Sequence, residues 1–135
     1  MTRSQGWLRG LLRVGGILTG SAFFTIFLSE ATIASASERL GLGQYPATPV
    51  TSYIVRSLAA MYGFHGLVLW RLSTNVVAYL PVIQWIAWAT FGLGVVLTGI
   101  DLAAPMPSWW TLAEGPPVAV IGLILLRLVR RSRPR

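Results

Sequence analysis

The 135-residue sequence contains no cysteine and no lysine, and it has one histidine and few acidic residues. Without cysteine the chain cannot form disulfides, thiolate metal sites or a cysteine nucleophile. A single histidine cannot make a histidine metal cluster within one chain, so we predict no metal site. No cofactor is identified from the residues. A nucleophile elbow, a P-loop, an H-E-x-x-H motif and a Rossmann glycine pattern are also absent. The sequence therefore favours a protein that is not an enzyme.

Charged residues make up only 11% of the chain, whereas hydrophobic residues make up 54%. A soluble domain usually carries about 25% charged residues, so this composition predicts that much of the surface faces lipid. The net charge is +7, and all eleven basic residues are arginine. Because these arginines flank apolar segments, they fit lipid headgroups and membrane topology better than nucleic acid, which we do not expect as a partner.

Four segments are long and apolar enough, or nearly so, to cross the roughly 30 Å hydrocarbon core of a bilayer. They cover about residues 8–29, 51–72, 79–102 and 116–129. Pro49 and Pro81 stand at the starts of the second and third segments, as prolines do at helix N-termini. The fourth segment is short. It either begins near Trp109 and bends at Pro116, or follows an aromatic loop at the interface, which we favour.

Small residues recur at helical spacing in the first three segments, and they predict close packing of helices within a membrane. They include Gly15, Gly16, Gly20, Gly63, Gly66, Gly92, Gly94 and Gly99. The first and second segments are joined by about twenty residues, with Gly41 and Gly43 among the helix breakers. A short surface helix is predicted within this connection, over residues 34–40.

Arginines and acids separate to opposite sides of a four-span arrangement. Nine of the arginines lie at or before the front end of the first segment, at the second link, or at or beyond the end of the fourth segment, and all four acids fall on the other side. Cytoplasmic flanks are enriched in arginine and lysine. We therefore predict one domain over residues 1–135, an all-α membrane protein with a four-transmembrane-helix bundle. Both termini would lie in the cytoplasm, and the protein would be a multi-pass protein of the inner (plasma) membrane.

A competing interpretation concerns the first segment. Its basic start, its apolar core and Ala34-Ser35-Ala36 are typical of a secretory signal peptide. Cleavage after Ala36 would remove residues 1–36 and leave three spans. The glycine stripe and the presence of Glu30 before the cleavage motif favour a retained, packing helix instead.

Arg56 is the most informative polar residue, because it lies inside the second segment, where a charge is costly. Its fork of donors matches a carboxylate or a phosphate. We therefore predict that it binds a ligand or pairs with Glu30, Asp101 or Glu114. Tyr53 lies on the same helical face at 100° per residue and could join such a network.

The remaining candidate site residues each have a functional and a structural interpretation. His65, near the membrane midplane, is either a proton relay or ligand contact, or a neutral imidazole bonded to a neighbouring helix. Trp110 either anchors the chain at the interface or covers a pocket. Glu114 either belongs to the Arg56 site or favours the start of the next helix. Tyr62 is rotated away from Arg56, and we expect it to pack or to anchor.

Four motifs carry a family resemblance: Leu40-Gly-Leu-Gly43, Val55-Arg56-Ser57-Leu58-Ala59-Ala60-Met61-Tyr62, Gly99-Ile-Asp101 and Trp109-Trp110-Thr-Leu-Ala-Glu114-Gly-Pro116. With them the chain resembles a group of small bacterial membrane proteins that is similar in outline to DoxX-like four-helix proteins. The resemblance implies a compact four-helix bundle with Arg56, Tyr62, Asp101 and Glu114 as its recurrent polar positions. It also implies association with respiratory or redox membrane complexes, and hence with a quinone.

Three classes of function stay open. The first, which we expect, is binding of a lipid, a quinone or a partner protein near the outer face, with membrane lipids or a second copy of the chain as partners. The second is a transporter or channel subunit, which would need an oligomer because four spans are too few for most inverted-repeat transporters. The third is a membrane enzyme that uses Arg56 with Asp101 or Glu114.

Overall fold

The computed structural model describes residues 2–133, and every regular element among them is helical. The α-helices are α1 (Arg3–Ser21), α2 (Glu30–Arg39), α3 (Pro49–Ser73), α4 (Leu80–Ala103), α5 (Ser108–Ala113) and α6 (Gly115–Ser132). A 3₁₀-helix, Ala22–Phe27, continues α1 directly. The all-helical prediction is confirmed for this part of the chain.

Three helical segments are long and apolar enough to cross a membrane, namely Arg3–Phe27, Leu80–Ala103 and Ser108–Ser132. The first joins α1 to the 3₁₀-helix, and the last joins α5 to α6. The chain is therefore a helical membrane protein. Helix α3 has a similar length, 25 residues, but it is less apolar than these three, because it carries Arg56 and His65.

The helix boundaries follow the prolines and the capping residues. The segments predicted over 51–72 and 79–102 agree with α3 and α4 to within two residues. Helix α3 begins at Pro49 and α4 carries Pro81 in its first turn, where the missing N–H would have had no partner. The segment predicted over 8–29 differs more, because its helix already begins at Arg3 and its last turns are 3₁₀.

The connection between the first two long helices holds α2, which begins earlier than the predicted 34–40. Ser29 caps it, because the Ser29 side chain accepts a hydrogen bond from the Thr32 N–H at 3.2 Å. Just beyond its end, Gly41 and Gly43 have φ angles of 69° and 93°. This left-handed backbone suits glycine and stops the helix.

The segment predicted over 116–129 is α6, and a break separates it from α5. The interfacial aromatic loop that we favoured is instead the helix α5, so the apolar segment does begin near Trp109. It is not one continuous helix, because Pro116 and Pro117 have no N–H to donate to the preceding turn. The break falls at Glu114, which has φ −97° and ψ −75°.

The chain divides into two compact units, and residues 13–71 form one of them. Within it, α1 and α3 pack side by side in opposite directions. At one end the Arg13 guanidinium lies over the Trp70 ring, 5.6 Å from its centroid. Further along, a Cβ atom on Gly66 would lie only 2.5 Å from the carbonyl oxygen of Gly16. Glycine-mediated packing is thus confirmed for this helix pair.

The other unit contains residues 2–12 and 72–133. Its fully buried side chains include Leu8, Leu12, Ile83 and Val129. Helices α4 and α6 run in opposite directions and touch at glycines. A Cβ on Gly94 would lie 2.7 Å from Ala119 Cα, and one on Gly122 would lie 2.7 Å from Phe91 Cα. Small residues therefore bring these two backbones together as well.

In the same unit, the start of α1 lies beside the end of α6. The Ser4 hydroxyl donates a hydrogen bond to the Arg131 carbonyl oxygen at 3.2 Å. The Gln5 side-chain amide donates one to the Ser132 carbonyl oxygen at 3.4 Å. These carbonyls belong to the last turn of α6 and have no acceptor role within that helix, so the N-terminal residues satisfy them.

Candidate functional site

A cavity of about 390 Å³ lies at the end of α4, and Asp101 is part of its lining. Two hydroxyl residues, Ser108 and Thr111, lie on the same cavity. The rest of the wall is apolar and consists of Leu102, Pro105, Met106 and Leu112. A concave, mostly apolar pocket with a few polar groups has the usual composition of a small-molecule site.

The loop after α4 builds this cavity. The Met106 N–H donates a hydrogen bond to the Asp101 carbonyl oxygen at 3.1 Å, which turns the chain back on the end of α4. Pro107 is extended, with φ −54° and ψ 137°, and its carbonyl oxygen accepts from the N–H groups of Trp110 and Thr111. Helix α5 therefore starts directly after this proline and places Thr111 beside the cavity.

The Asp101 side chain is only 5% exposed, and its Oδ2 atom has no hydrogen-bond partner among the described residues. Most buried polar atoms in proteins are hydrogen-bonded, and burying a carboxylate without a partner costs free energy. Asp101 also lines the cavity, so a ligand group that reached this oxygen with an N–H donor or a positive charge would offset that cost. This makes Asp101 the candidate residue with the strongest physical reason to bind a ligand.

Arg56 sits in a different environment, inside the unit formed by residues 13–71. Its guanidinium donates hydrogen bonds to the carbonyl oxygens of Ile26, at 2.5 Å, and Leu28, at 3.3 Å. Its Nε–H donates to the Ser52 hydroxyl at 3.2 Å. Glu30, the candidate carboxylate partner in this unit, forms no ion pair with it. Arg56 thus donates hydrogen bonds to carbonyl oxygens at the end of the 3₁₀-helix, which would otherwise lack donors.

The other candidate residues of α3 make no hydrogen bond with Arg56, whose partners are Ser52, Ile26 and Leu28. Tyr53 is 71% exposed, Tyr62 is half-buried and His65 is exposed. The neighbouring-helix bond considered for the His65 imidazole is absent, because this side chain makes no hydrogen bond with any residue from 2 to 133. The protein leaves His65 and Tyr53 on surfaces that the rest of the chain does not cover.

Trp110 and Glu114 are brought together. The Trp110 indole N–H donates a hydrogen bond to a Glu114 carboxylate oxygen at 2.5 Å, one helical turn away. Glu114 occupies the position before α6, but its side chain makes no capping hydrogen bond there. The carboxylate therefore links α5 to the break rather than capping α6. Trp109 packs edge-on against Trp110, with ring centroids 5.5 Å apart.

Sequence reasoning selected Asp101, Trp110 and Glu114, but it did not select Ser108 or Thr111 as parts of a site. Hydroxyl residues are common in such loops, and only the return of the chain onto α4 brings these two to the cavity. Their single signal in the sequence is their position in a proline-rich link between two acids. Among the described residues, no three histidine, cysteine or acidic side chains form a group that could hold a metal ion.

Comparison with known proteins adds no further constraint on the site. No family model, no curated protein and no solved structure matches the chain. Its chemistry must therefore be interpreted from the residues and geometry described above.

Proposed function

We propose that the chain is a four-span protein of the inner membrane, with both termini in the cytoplasm, which binds an amphiphilic lipid at the Asp101 cavity. The function rests on one observation, a buried carboxylate oxygen without a partner beside an apolar cavity. The proposed topology rests on the hydrogen bonds between α1 and α6 and on the packing of α3 against α1. Membership of the DoxX-like group is part of the proposal too.

The hydrogen bonds between the start of α1 and the end of α6 support an even number of spans. Ser4 and Gln5 contact the backbone at Arg131 and Ser132, so both ends would lie on one face of the membrane. Three crossings would put them on opposite faces. Since three segments are apolar enough to cross, α3 is the remaining helix that can supply the fourth crossing.

The packing of α3 against α1 supports the same count. Their contacts run from Arg13 beside Trp70, past Gly16 beside Gly66, to the Arg56 guanidinium beside Ile26. A helix that lies along the whole of a crossing segment occupies the same depths in the bilayer. With four crossings, the positive-inside rule assigns the arginine-rich ends to the cytoplasm.

In this topology the Asp101 cavity opens at the outer headgroup level. Asp101 lies two residues before the end of the crossing segment Leu80–Ala103. Within the cavity wall, Leu102 and Leu112 are 71% and 69% exposed, so the apolar side of the cavity can face the lipid tails. A ligand that fits both features has a polar head and an acyl chain.

The unpaired oxygen, Asp101 Oδ2, restricts the chemical class of the ligand. A carboxylate accepts hydrogen bonds, and a primary ammonium offers three N–H donors together with a positive charge. An aminophospholipid therefore suits the cavity, whereas the carbonyls of a quinone offer only acceptors. The donors of Arg56 go to two backbone carbonyls and to the Ser52 hydroxyl, all in its own unit, which favours a structural role for Arg56 over a role in an enzyme.

The test compares phosphatidylethanolamine with phosphatidylcholine carrying the same acyl chains, by native mass spectrometry of the delipidated full chain. Both headgroups are zwitterionic with one cationic nitrogen, but only the nitrogen of phosphatidylethanolamine has N–H donors. We expect a preference of about tenfold or more for phosphatidylethanolamine, since a hydrogen bond to a charged group contributes about 1.5–3 kcal/mol. Free ethanolamine should compete weakly, because it lacks the acyl chains.

Two variants test whether the preference for phosphatidylethanolamine depends on Asp101. Asp101→Asn keeps the shape of the side chain but removes its charge, and it should abolish most of the preference. Glu38→Gln removes one acid from α2, outside the cavity, and should leave the preference intact. Equal binding of the two lipids by the unmodified chain, or an unchanged preference in Asp101→Asn, would disprove the proposed function.

A further inference from the structure

A second cavity, of about 470 Å³, lies in the same unit between α4 and the last turns of α6. Three of its lining residues are arginines on α6, namely Arg127, Arg130 and Arg131. Positions three and four apart lie on one face of a helix, so these three side chains point to the same side. The rest of the lining is apolar and aromatic: Trp88 from α4, with Leu123 and Leu126 from α6.

No acidic residue lines this cavity, and the three arginine side chains are exposed. Like charges at this spacing repel each other within a helix. The helix dipole favours positive charge only near the C-terminus, and Arg127 lies before the last turn, which holds Arg130 and Arg131. Three uncompensated guanidinium groups around one cavity form a complementary surface for an anion with more than one charged oxygen.

The apolar side of the cavity indicates what the anion is attached to. The Trp88 side chain is 45% exposed and that of Leu123 is 49% exposed, and both adjoin the arginines. Tryptophan is typical of the membrane interface, where its ring contacts both chains and headgroups. An inorganic anion would use only the arginines, whereas a phospholipid would use both sides.

We infer that this cavity, the Trp88–arginine cavity, binds an anionic phospholipid, with its phosphate groups on Arg127, Arg130 and Arg131 and an acyl chain along Trp88 and Leu123. Arginine presents paired N–H donors that match phosphate oxygens, and basic pockets between transmembrane helices bind such headgroups. The site is separate from the Asp101 cavity in its residues and opposite to it in charge, so it does not depend on the proposed function.

The test measures binding of cardiolipin, phosphatidylglycerol and phosphatidylcholine to the delipidated full chain by native mass spectrometry. We expect cardiolipin, with two phosphates, to bind at least about tenfold more tightly than phosphatidylcholine, which corresponds to about 1.4 kcal/mol. Phosphatidylglycerol should lie between them. Inorganic phosphate should not displace cardiolipin at equal concentration, because it cannot use the apolar side.

The variant Arg127→Gln/Arg130→Gln should lose most of the cardiolipin preference. The matched control, Arg3→Gln/Arg133→Gln, removes the same charge from residues outside the cavity and should keep it. Arg127→Lys/Arg130→Lys retains the charge and should bind at an intermediate level, which excludes a folding defect as the cause of the loss. Equal loss in the cavity and control variants would show that only overall charge matters and would overturn the inference.

Trp88→Phe tests the apolar side of the same cavity. It should weaken cardiolipin binding severalfold, since it removes part of the surface that the acyl chain contacts. Trp85→Phe, on an exposed tryptophan of α4 outside the cavity lining, should have no such effect. Identical binding by both tryptophan variants and the unmodified chain would contradict the placement of the acyl chain.

Discussion

Replacing Gly66 with alanine tests the packing of α1 against α3 most directly. The added Cβ atom would lie 2.5 Å from the carbonyl oxygen of Gly16 and 2.6 Å from the Cα atom of Gly20. Both neighbours are backbone atoms, so no side chain can rotate to make room. Since non-bonded carbon atoms sit about 3.5–4.0 Å apart, the helices must separate locally by about 1 Å.

The expected cost is about 1–3 kcal/mol, the usual penalty for an extra group in a tightly packed contact. Against this, alanine in place of glycine improves helix propensity by up to about 1 kcal/mol. The clash is larger than the gain, so Gly66→Ala should lower the free energy of unfolding. Gly63→Ala should cost less, because its added Cβ meets ring atoms of Phe23 that can rotate, and the fixed Phe23 Cβ atom lies further off, at 2.9 Å.

The measurement is reversible unfolding in mixed micelles with increasing SDS, followed by tryptophan fluorescence. Gly92→Ala is the matched control, because a Cβ at Gly92 meets no atom within 4 Å, and it should be neutral or slightly stabilising. We expect the order of stability Gly92→Ala, then Gly63→Ala, then Gly66→Ala. If Gly66→Ala proved as stable as Gly92→Ala, the close approach of the two backbones would be refuted.

Three further substitutions have defined outcomes. Arg56→Leu should lower the free energy of unfolding by about 1–3 kcal/mol in the same SDS titration, because carbonyls at the end of the 3₁₀-helix lose their donor. Arg56→Lys should cost less, and equal effects of the two variants would contradict this role of Arg56. Ser29→Ala should raise amide hydrogen exchange in α2 about fivefold, as expected for a lost cap of about 1 kcal/mol, and unchanged exchange would count against the cap. Trp110→Phe should lower thermal stability more than Trp109→Phe, because only Trp110 donates to Glu114, and equal midpoints would rule that bond out as a stabilising contact.

The long helices could be predicted closely, because apolar length and proline position determine them. Pro49 and Pro81 set the starts of α3 and α4, and the run of apolar residues after each proline sets the length of the helix. The 3₁₀ ending of the first segment could not be predicted, since its residues are ordinary α-helix or membrane residues. This stretch packs through Phe23 on Gly63, a contact distant in sequence.

The polar residues were selected by type, but their partners could not be predicted. Arg56 stood out because a charge in a crossing helix is costly, yet two of its three acceptors are backbone carbonyls, which every residue has. Asp101 stood out as an acid at a segment end. Its cavity depends on the path of the following loop, and so Thr111 carried no signal of its own.

The winding of residues 22–27 has a consequence for the reach of the first crossing. A 3₁₀-helix rises about 2.0 Å per residue, against about 1.5 Å in an α-helix. These six residues therefore extend about 3 Å further than an α-helical stretch of equal length, a measurable fraction of a bilayer's thickness. If they rewound into α-helix, Ile26 would retract and its carbonyl would leave the Arg56 guanidinium. The 3₁₀ winding of these six residues and the hydrogen bonds that Arg56 makes to their carbonyl end therefore depend on each other.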